Sequence, residues 1–484
     1  MSHKTKAPSL LQALIPLIAL IAMLSSSVYL FGEDSSYGPN QIALLVAAGI
    51  AVIIGFRNGF SWQQIEEGIT EGISVALGAM LIILAVGSLI GTWLLSGTVP
   101  TLIYFGLELL NPSLFYAASC IICGVVALSI GSSWTTAATI GVALMGVASG
   151  MGLEPGIAAG AIVSGAYFGD KMSPLSDTTN LAPAVSGTEL FAHIRYMGYT
   201  AGPAFVISVV LFLILGLNAD TNVSLQRLEL MQEQLQGTFN IGWPMLVPLA
   251  VLLYLAATRK PALPTVFFGA LLGGAWALIF QPEMISFIAG EEGWVPAIKV
   301  VWLALSDGVE VSTGSANLDS LLSGGGMVSM LNTVWLILSA MTFGAIMEKV
   351  GLLERFIRGM LKSAKSVGSL ITGTIFTCFG ANVLTADQYM AIVLPGRMFK
   401  EEYERRNLDP RVLSRTLEDS GTITSALIPW NTCGAYMFSV LAVSPFEYGI
   451  YAFFNYLTPL IAIVFAYTGW TILYLNPKEE TAKA

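Results

Sequence analysis

Runs of about twenty apolar residues recur along this chain, and no other feature limits its fold so tightly. A hydrocarbon core about 30 Å thick is crossed by about 20 helical residues, and backbone polar groups at that depth must be satisfied within the protein. Continuous runs lie at residues 10–30, 41–56, 73–95, 197–217, 242–257, 263–280, 327–347 and 451–475. Four more stretches, 112–150, 156–188, 368–398 and 412–443, are apolar overall but interrupted by glycine, proline, polar residues or carboxylates. With 55% apolar and only 11% charged residues in 484, a water-facing surface is excluded, and the expected fold class is an all-α polytopic membrane protein. The lipid bilayer is then an obligatory partner. A net charge of −9 and the lack of a basic cluster exclude nucleic acid. Cys120, Cys123, Cys378 and Cys433 all fall in apolar stretches, so the Cys120/Cys123 pair reads as small packing residues rather than a disulfide or zinc site. Residues 1–30 carry a charged start and no small-residue cleavage site, and read as a retained first span.

Orientation follows from Lys and Arg, which stay on the cytoplasmic side of short loops. Lys4 and Lys6 place the N-terminus inside; Glu33 and Asp34 then fall outside, Arg57 and Arg195 inside, Arg227 outside, and Arg259 with Lys260 inside. If 112–150 enters and leaves from the outside as a re-entrant hairpin, and 368–398 does so from the inside, about ten spans remain and both termini are cytoplasmic. All 22 basic residues then lie inside except Arg227, Lys299 and the intramembrane Lys171. Residues 1–217 read span, span, span, hairpin, broken span, span, and residues 242–475 repeat that order from the opposite side. The expectation is an inverted-topology repeat with two broken helices, about 156–188 and 412–443. An external linker at 218–241 carries a surface amphipathic helix near 225–235, and 476–484 is a cytoplasmic tail. Secondary transporters are recurrently built this way, with the site near the midplane where discontinuous helices meet.

The densest polar run inside an apolar region is Gly169-Asp170-Lys171-Met172-Ser173-Pro174-Leu175-Ser176-Asp177-Thr178-Thr179-Asn180. Ionised groups at bilayer depth are costly unless paired or facing a cavity, so function is the default reading. Pro174 removes a helical hydrogen bond and should unwind the chain. That would offer carbonyl oxygens to a hard cation beside Ser173, Ser176, Thr178, Thr179, Asn180 and the carboxylates. Lys171, adjacent to Asp170, reads as its charge-balancing partner. Asp177 is then left unpaired as the group that holds either a proton or a sodium ion, with Asn180 as a further Na+ ligand; the roles of Asp170 and Asp177 can be exchanged. A solvated loop between two short spans is the bland alternative.

In the second half, Glu418-Asp419-Ser420-Gly421-Thr422-Ile423-Thr424-Ser425 and Pro429-Trp430-Asn431-Thr432 again combine helix breakers with small oxygen donors. Thr422, Ser425, Asn431 and Thr432 are candidate site residues, whereas Glu418 and Asp419 read equally well as interfacial helix caps. The hairpin tips add Ser132, Ser133, Thr135, Asn382 and Asp387, since half-helix termini bring oriented dipoles to a ligand. Close helix packing by small residues is the competing reading for the Ser/Thr set. His193, beside Arg195, reads as a dipole-favoured residue at a cytoplasmic helix end rather than a pH sensor. Without a P-loop, nucleophile elbow or paired-histidine motif, an enzyme is the weak rival class and no cofactor is expected beyond transported Na+ and H+.

From Gly165-Ala166-Tyr167-Phe168-Gly169-Asp170-Lys171 through Asp177-Thr178-Thr179-Asn180-Leu181-Ala182-Pro183 to Gly187-Thr188-Glu189-Leu190, the chain resembles the NhaC-type sodium/proton antiporter family of the wider ion-transporter superfamily. Gly131-Ser132-Ser133-Trp134 and Pro429-Trp430-Asn431-Thr432 extend the likeness over most of residues 40–475. The resemblance implies a bacterial inner membrane location, paired hairpins, a homodimer and elevator-like movement. It also implies two activities that the motif cannot separate: sodium/proton exchange, the preferred reading, and sodium- and proton-coupled exchange of small carboxylates such as malate and lactate. For the second, an organic anion would need Lys171 or the hairpin termini as its counter-charge.

Overall fold

A computed structural model describes residues 6–219, 225–311, 319 and 322–475. The expected tail 476–484, Lys4 and part of the 218–241 linker lie outside the described residues. What is described is almost entirely helical; extended pairing among the described residues is limited to isolated bridges, Val309 with Gly324 and Leu408 with Tyr474. Eight helices are long and apolar enough to cross a membrane, or nine if a bent pair at 228–257 counts as one. Six correspond to continuous runs in the sequence. The other two, Pro112–Ile130 and Val367–Thr385, were expected as hairpin limbs, yet each is 19 residues long and passes the length and hydropathy requirement of a span. The run 451–475 gives only the helix Phe453–Thr468, because Gly469 at φ 73° ends it in a left-handed cap. At 225–235 a helix forms, Leu225–Thr238, as the periodicity predicts.

The interrupted stretches break where their chemistry requires. Helix Pro155–Met172 ends at Ser173, whose extended backbone (φ −86°, ψ 130°) is what a following proline imposes. Ser176 then caps a new helix, Asp177–Ser186, by accepting from Thr179 N. In the second half Ile428, which precedes Pro429, is likewise extended (φ −106°, ψ 113°). Asn431 caps Thr432–Leu441, its Oδ1 accepting from Cys433 N at 3.0 Å.

Two helix–turn–helix tips share one backbone recipe. Gly131 is left-handed (φ 77°) and Ser132 extended (φ −151°) between Phe115–Ile130 and the helical stretch 133–150. Ala386 is left-handed (φ 56°) and Asp387 extended (φ −142°) between Val367–Thr385 and Gln388–Arg405. Ser132 and Asp387 are the respective N-caps. At the first tip the Cβ of any other residue at 131 would stand 2.5 Å from Leu175 Cβ, so glycine is needed for space as well as for φ.

The stretch 155–172 is positioned by close packing on Phe115–Ile130, the most extensive helix contact described. Gly165 and Gly169, four apart, let the backbones touch: a Cβ at Gly165 would lie 2.1 Å from Cys120 O, and one at Gly169 2.2 Å from Gly124 O. Cys120 and Cys123 are buried free thiols in this contact, as their reading as packing residues predicts. Gly169→Leu is therefore expected to lower stability by at least about 1–3 kcal/mol through overpacking. Gly202→Ala, with open space around it, should be neutral. Thermal unfolding of both variants in detergent checks this, and equal behaviour would refute the close-contact account.

Candidate functional site

A cavity of about 860 Å³ collects the interrupted segments. Into it project Ser132, Ser133 and Thr135 of the first tip, Asp170, Ser176, Asp177, Thr178 and Asn180 around the first break, Asp387 of the second tip, and Thr432. Ser133, Asp177, Gln388 and Thr432, all lining the cavity, each open a helix, so four helix N-termini converge there. Their partial positive charge favours ionised carboxylates. Part of the wall comes from the 34-residue helix Trp62–Leu95, and Arg259 and Lys260, exposed in the loop after Val247–Ala257, stand at the rim.

The protein's own carboxylates already use several of those N-terminal donors. Asp170 Oδ2 accepts from Ser133 N at 3.0 Å and Ser133 Oγ at 2.6 Å. Asp387 Oδ1 accepts from Met390 N at 2.9 Å. Asp177 differs: it is exposed to the cavity and has no hydrogen bond or ion pair among the described residues. Its freedom from a partner agrees with expectation, but it is hydrated rather than desolvated.

Several other candidates hold the breaks together instead of facing the cavity. Thr179 Oγ1 donates to Lys171 O at 3.0 Å, and Asn180 Nδ2 to Pro174 O at 3.0 Å and Ser176 O at 2.7 Å. The carbonyl of Lys171, upstream of Pro174, and those of the break itself are thus claimed by side-chain donors; Asn180 still lines the cavity. Ser173 is buried, its Oγ accepting from Leu175 N at 3.3 Å. Asn382 Nδ2 donates to Gly421 O at 2.6 Å, and Asn431 Nδ2 to Asn382 Oδ1 at 3.1 Å, which zips the second tip to the second break. Ser425 Oγ donates to Thr422 O at 2.6 Å. From the second break only Thr432 reaches the cavity.

Lys171 does not pair with Asp170. Neighbouring residues on a helix point about 100° apart and do not face each other, so while Asp170 turns to Ser133, Lys171 reaches the second half and lies 2.8 Å from Asp419 Oδ1. Both are fully buried. Asp419 Oδ1 also accepts from Thr200 Oγ1 at 2.9 Å, and Arg415 Nε lies 3.8 Å from its Oδ2. Arg415, buried in turn, donates to Thr471 Oγ1 at 3.0 Å with its guanidinium 4.3 Å over the Tyr196 ring. Glu418 and Asp419 are therefore interior groups, not interfacial caps. His193 is corrected too: it lies in the first turn of Leu190–Leu217, the end where a helix dipole disfavours a cation. It is buried with Nδ1 2.7 Å from Ser414 Oγ.

Sequence reasoning passed over Arg415, Tyr389, Gln388 and the role of Trp134. Arg415 and Asp419 stand four apart on one helical face, a signal that was available. Trp134 stacks on Tyr436 with ring centroids 4.1 Å apart, and Tyr436 Oη donates to Trp134 O at 2.9 Å, a contact between halves with no local signature.

A sequence model of the Na+/H+ antiporter family matches residues 165–470. Over 481 residues, 99% of this chain and 98% of the relative, the chain is 38% identical to the Malate-2H(+)/Na(+)-lactate antiporter of Bacillus subtilis (strain 168). It is 37% identical over 429 residues, 89% of this chain and 90% of the relative, to the Na(+)/H(+) antiporter NhaC of Alkalihalophilus pseudofirmus. To the Arginine/ornithine antiporter ArcD of Halobacterium salinarum it is 36% identical over 479 residues, 98% and 95% of the two chains.

Removing one partner from a buried ion pair strands the other charge and costs about 3–5 kcal/mol. Asp419→Asn strands two cations, Lys171 and Arg415, whereas Lys171→Met leaves Asp419 with Arg415. The first variant should be the less stable in detergent unfolding; the reverse order would contradict the network.

Proposed function

Because the chain belongs to the Na+/H+ antiporter family, we propose that it is a secondary antiporter exchanging sodium for protons by alternating access, with Asp177 carrying each ion in turn. The observation that carries this reading is the charge of the cavity. Three carboxylates, Asp170, Asp177 and Asp387, line it against two exposed cations, Arg259 and Lys260, while Lys171 is withdrawn to Asp419 and Asp177 itself has no ion pair among the described residues. A hydrated, unpartnered carboxylate among hydroxyl oxygens can bind a small hard cation or a proton, and each ligand excludes the other. Ser176 and Thr178 supply the nearby oxygens.

The matching left-handed and extended residues at the two tips, and the matching proline breaks, support an inverted repeat of residues 1–217 and 242–475 joined by an external linker. On that plan the helices flanking Gly131-Ser132 and Ala386-Asp387 form re-entrant hairpins. About ten spans then cross the bacterial inner membrane, with both termini cytoplasmic, and the Arg259–Lys260 rim faces the cytoplasm. A homodimer and an elevator-like movement belong to the same reading.

Exchange of a small carboxylate coupled to sodium and protons is the second reading. The volume of the cavity, far larger than one ion, and the Arg259–Lys260 rim favour it, as does the malate/lactate exchange for which the relative at 38% identity is named. Against it, Asp170 and Asp387 already occupy N-terminal donors that an organic anion would need.

Sodium-induced proton movement in proteoliposomes tests the proposal. Asp177→Asn should reduce exchange by at least about a hundredfold, the scale on which losing a required proton carrier acts; undiminished exchange rejects Asp177. Malate or lactate added to the same vesicles should produce no sodium-coupled counterflow of labelled anion. If it does, the second reading replaces the first.

A further inference from the structure

Behind the cavity wall lies a buried carboxylate that the exchange mechanism does not use. Glu418 is fully buried, neither Oε1 nor Oε2 has a well-formed hydrogen bond, and the hydroxyls beside it are those of Thr422 and Thr178. Thr422, at the other end of the π-helical segment Glu418–Thr422, is also buried with its Oγ1 unpartnered. Thr178 comes from the first broken helix, across the contact between halves, and the charges of Lys171 and Asp170 act on Glu418 through space. Thr178 also lines the cavity and lies with its Oγ1 3.2 Å from Ser176 Oγ, which gives this buried spot a route to the solvent. Single π turns inside helices are frequent at functional sites.

A carboxylate in a protein interior costs several kcal/mol unless a proton or a counter-charge offsets it, and at alkaline pH the counter-charge must be a cation. Lys171 is the nearest cation, but it is engaged by Asp419 at 2.8 Å. With all three carboxylates ionised, as at alkaline pH, Lys171 and Arg415 stand against Asp170, Glu418 and Asp419, two positive and three negative, which leaves −1 before the cavity's Asp177 and Asp387 are counted. One monovalent cation neutralises it, whereas a divalent ion would leave +1. The orphaned donors are all oxygen, the ligand type of hard alkali cations.

We propose that Glu418, Thr422 and Thr178, with Asp170 opposite, form a second monovalent-cation site that binds Na+ where the two broken helices meet. It rests on the reading of the chain as a sodium transporter, but not on the role of Asp177. Since the ligands come from both halves, an ion here holds the halves together, and its loss weakens that contact.

Equilibrium binding of radiolabelled sodium to the purified full chain at alkaline pH tests the site, with Glu418→Gln and Asp177→Asn alongside. The expected result is two Na+ per wild-type chain and one in Glu418→Gln. If wild type and Glu418→Gln bind the same number, the second site is overturned while the cavity reading stands. If Asp177→Asn retains full exchange but Glu418→Gln loses one ion, the cavity assignment falls and the second site stands. Wild type that binds no sodium overturns both. Should Glu418→Gln fail to fold, Thr422→Val keeps the charge and removes one oxygen. It should weaken one of two sodium affinities about tenfold, and unchanged affinities overturn the site.

Discussion

A helix broken inside a membrane exposes backbone groups that no lipid can satisfy, and the arrangement here follows from how they are satisfied. At the first break Thr179 donates to Lys171 O, left open upstream of Pro174, and Asn180 to Pro174 O within the break, and at the second Asn382 and Asn431 bridge the second tip to the break. These donors let the chain change direction at Ser173–Ser176 and Ile428–Asn431 without leaving the protein interior. Each restart of a helix then places an N-terminus against a shared space. The cavity is a consequence of satisfied breaks, not an independent feature.

Charge is the second constraint. Five carboxylates, Asp170, Asp177, Asp387, Glu418 and Asp419, gather around the cavity and its rear wall, opposed by the buried Lys171 and Arg415 and, at the exposed rim, by Arg259 and Lys260. Helix N-terminal N–H groups donate to Asp170 and Asp387, and the Ser133 hydroxyl donates to Asp170 as well. The outcome is a region with capacity for cations whose buried basic residues are tied into a fixed strut between halves. A structural role for Lys171–Asp419 and an ionic role for the cavity carboxylates are therefore complementary: the first pair removes a lysine that would otherwise compete for the second group.

Much of this was legible in the sequence because bilayer physics makes polar residues conspicuous. The run Asp170–Asn180 stood out against its apolar flanks, Pro174 and Pro429 marked both breaks, and residues 131 and 387 fell at the tips. Pairing was not legible. Proximity in sequence suggested Asp170 with Lys171, but helical geometry turns them apart, and the true partner of Lys171 lies in the other half at Asp419. The exposure of Asp177 was hidden for the same reason, since it depends on a cavity whose wall is shared by Trp62–Leu95 and the turn between Val247–Ala257 and Ala262–Phe280. Candidate oxygen donors such as Thr179 and Asn431 were recognised by type, yet type does not distinguish a residue that staples a break from one that faces an ion.

The competition between a cation and an organic anion for this space turns on donors already committed. A carboxylate substrate would have to displace Asp170 from Ser133 N and Oγ, or Asp387 from Met390 N, and each exchange returns one anion to a poorer environment for every anion it accommodates. A sodium ion or a proton displaces nothing: it adds positive charge beside Asp177, whose oxygens have no protein partner among the described residues. Larger substrates gain only from the volume of the cavity and from the exposed Arg259 and Lys260 at its rim, where water screens them. On the proposed reading, the geometry that leaves Asp177 unpartnered favours a small cation there and leaves an organic anion only the rim.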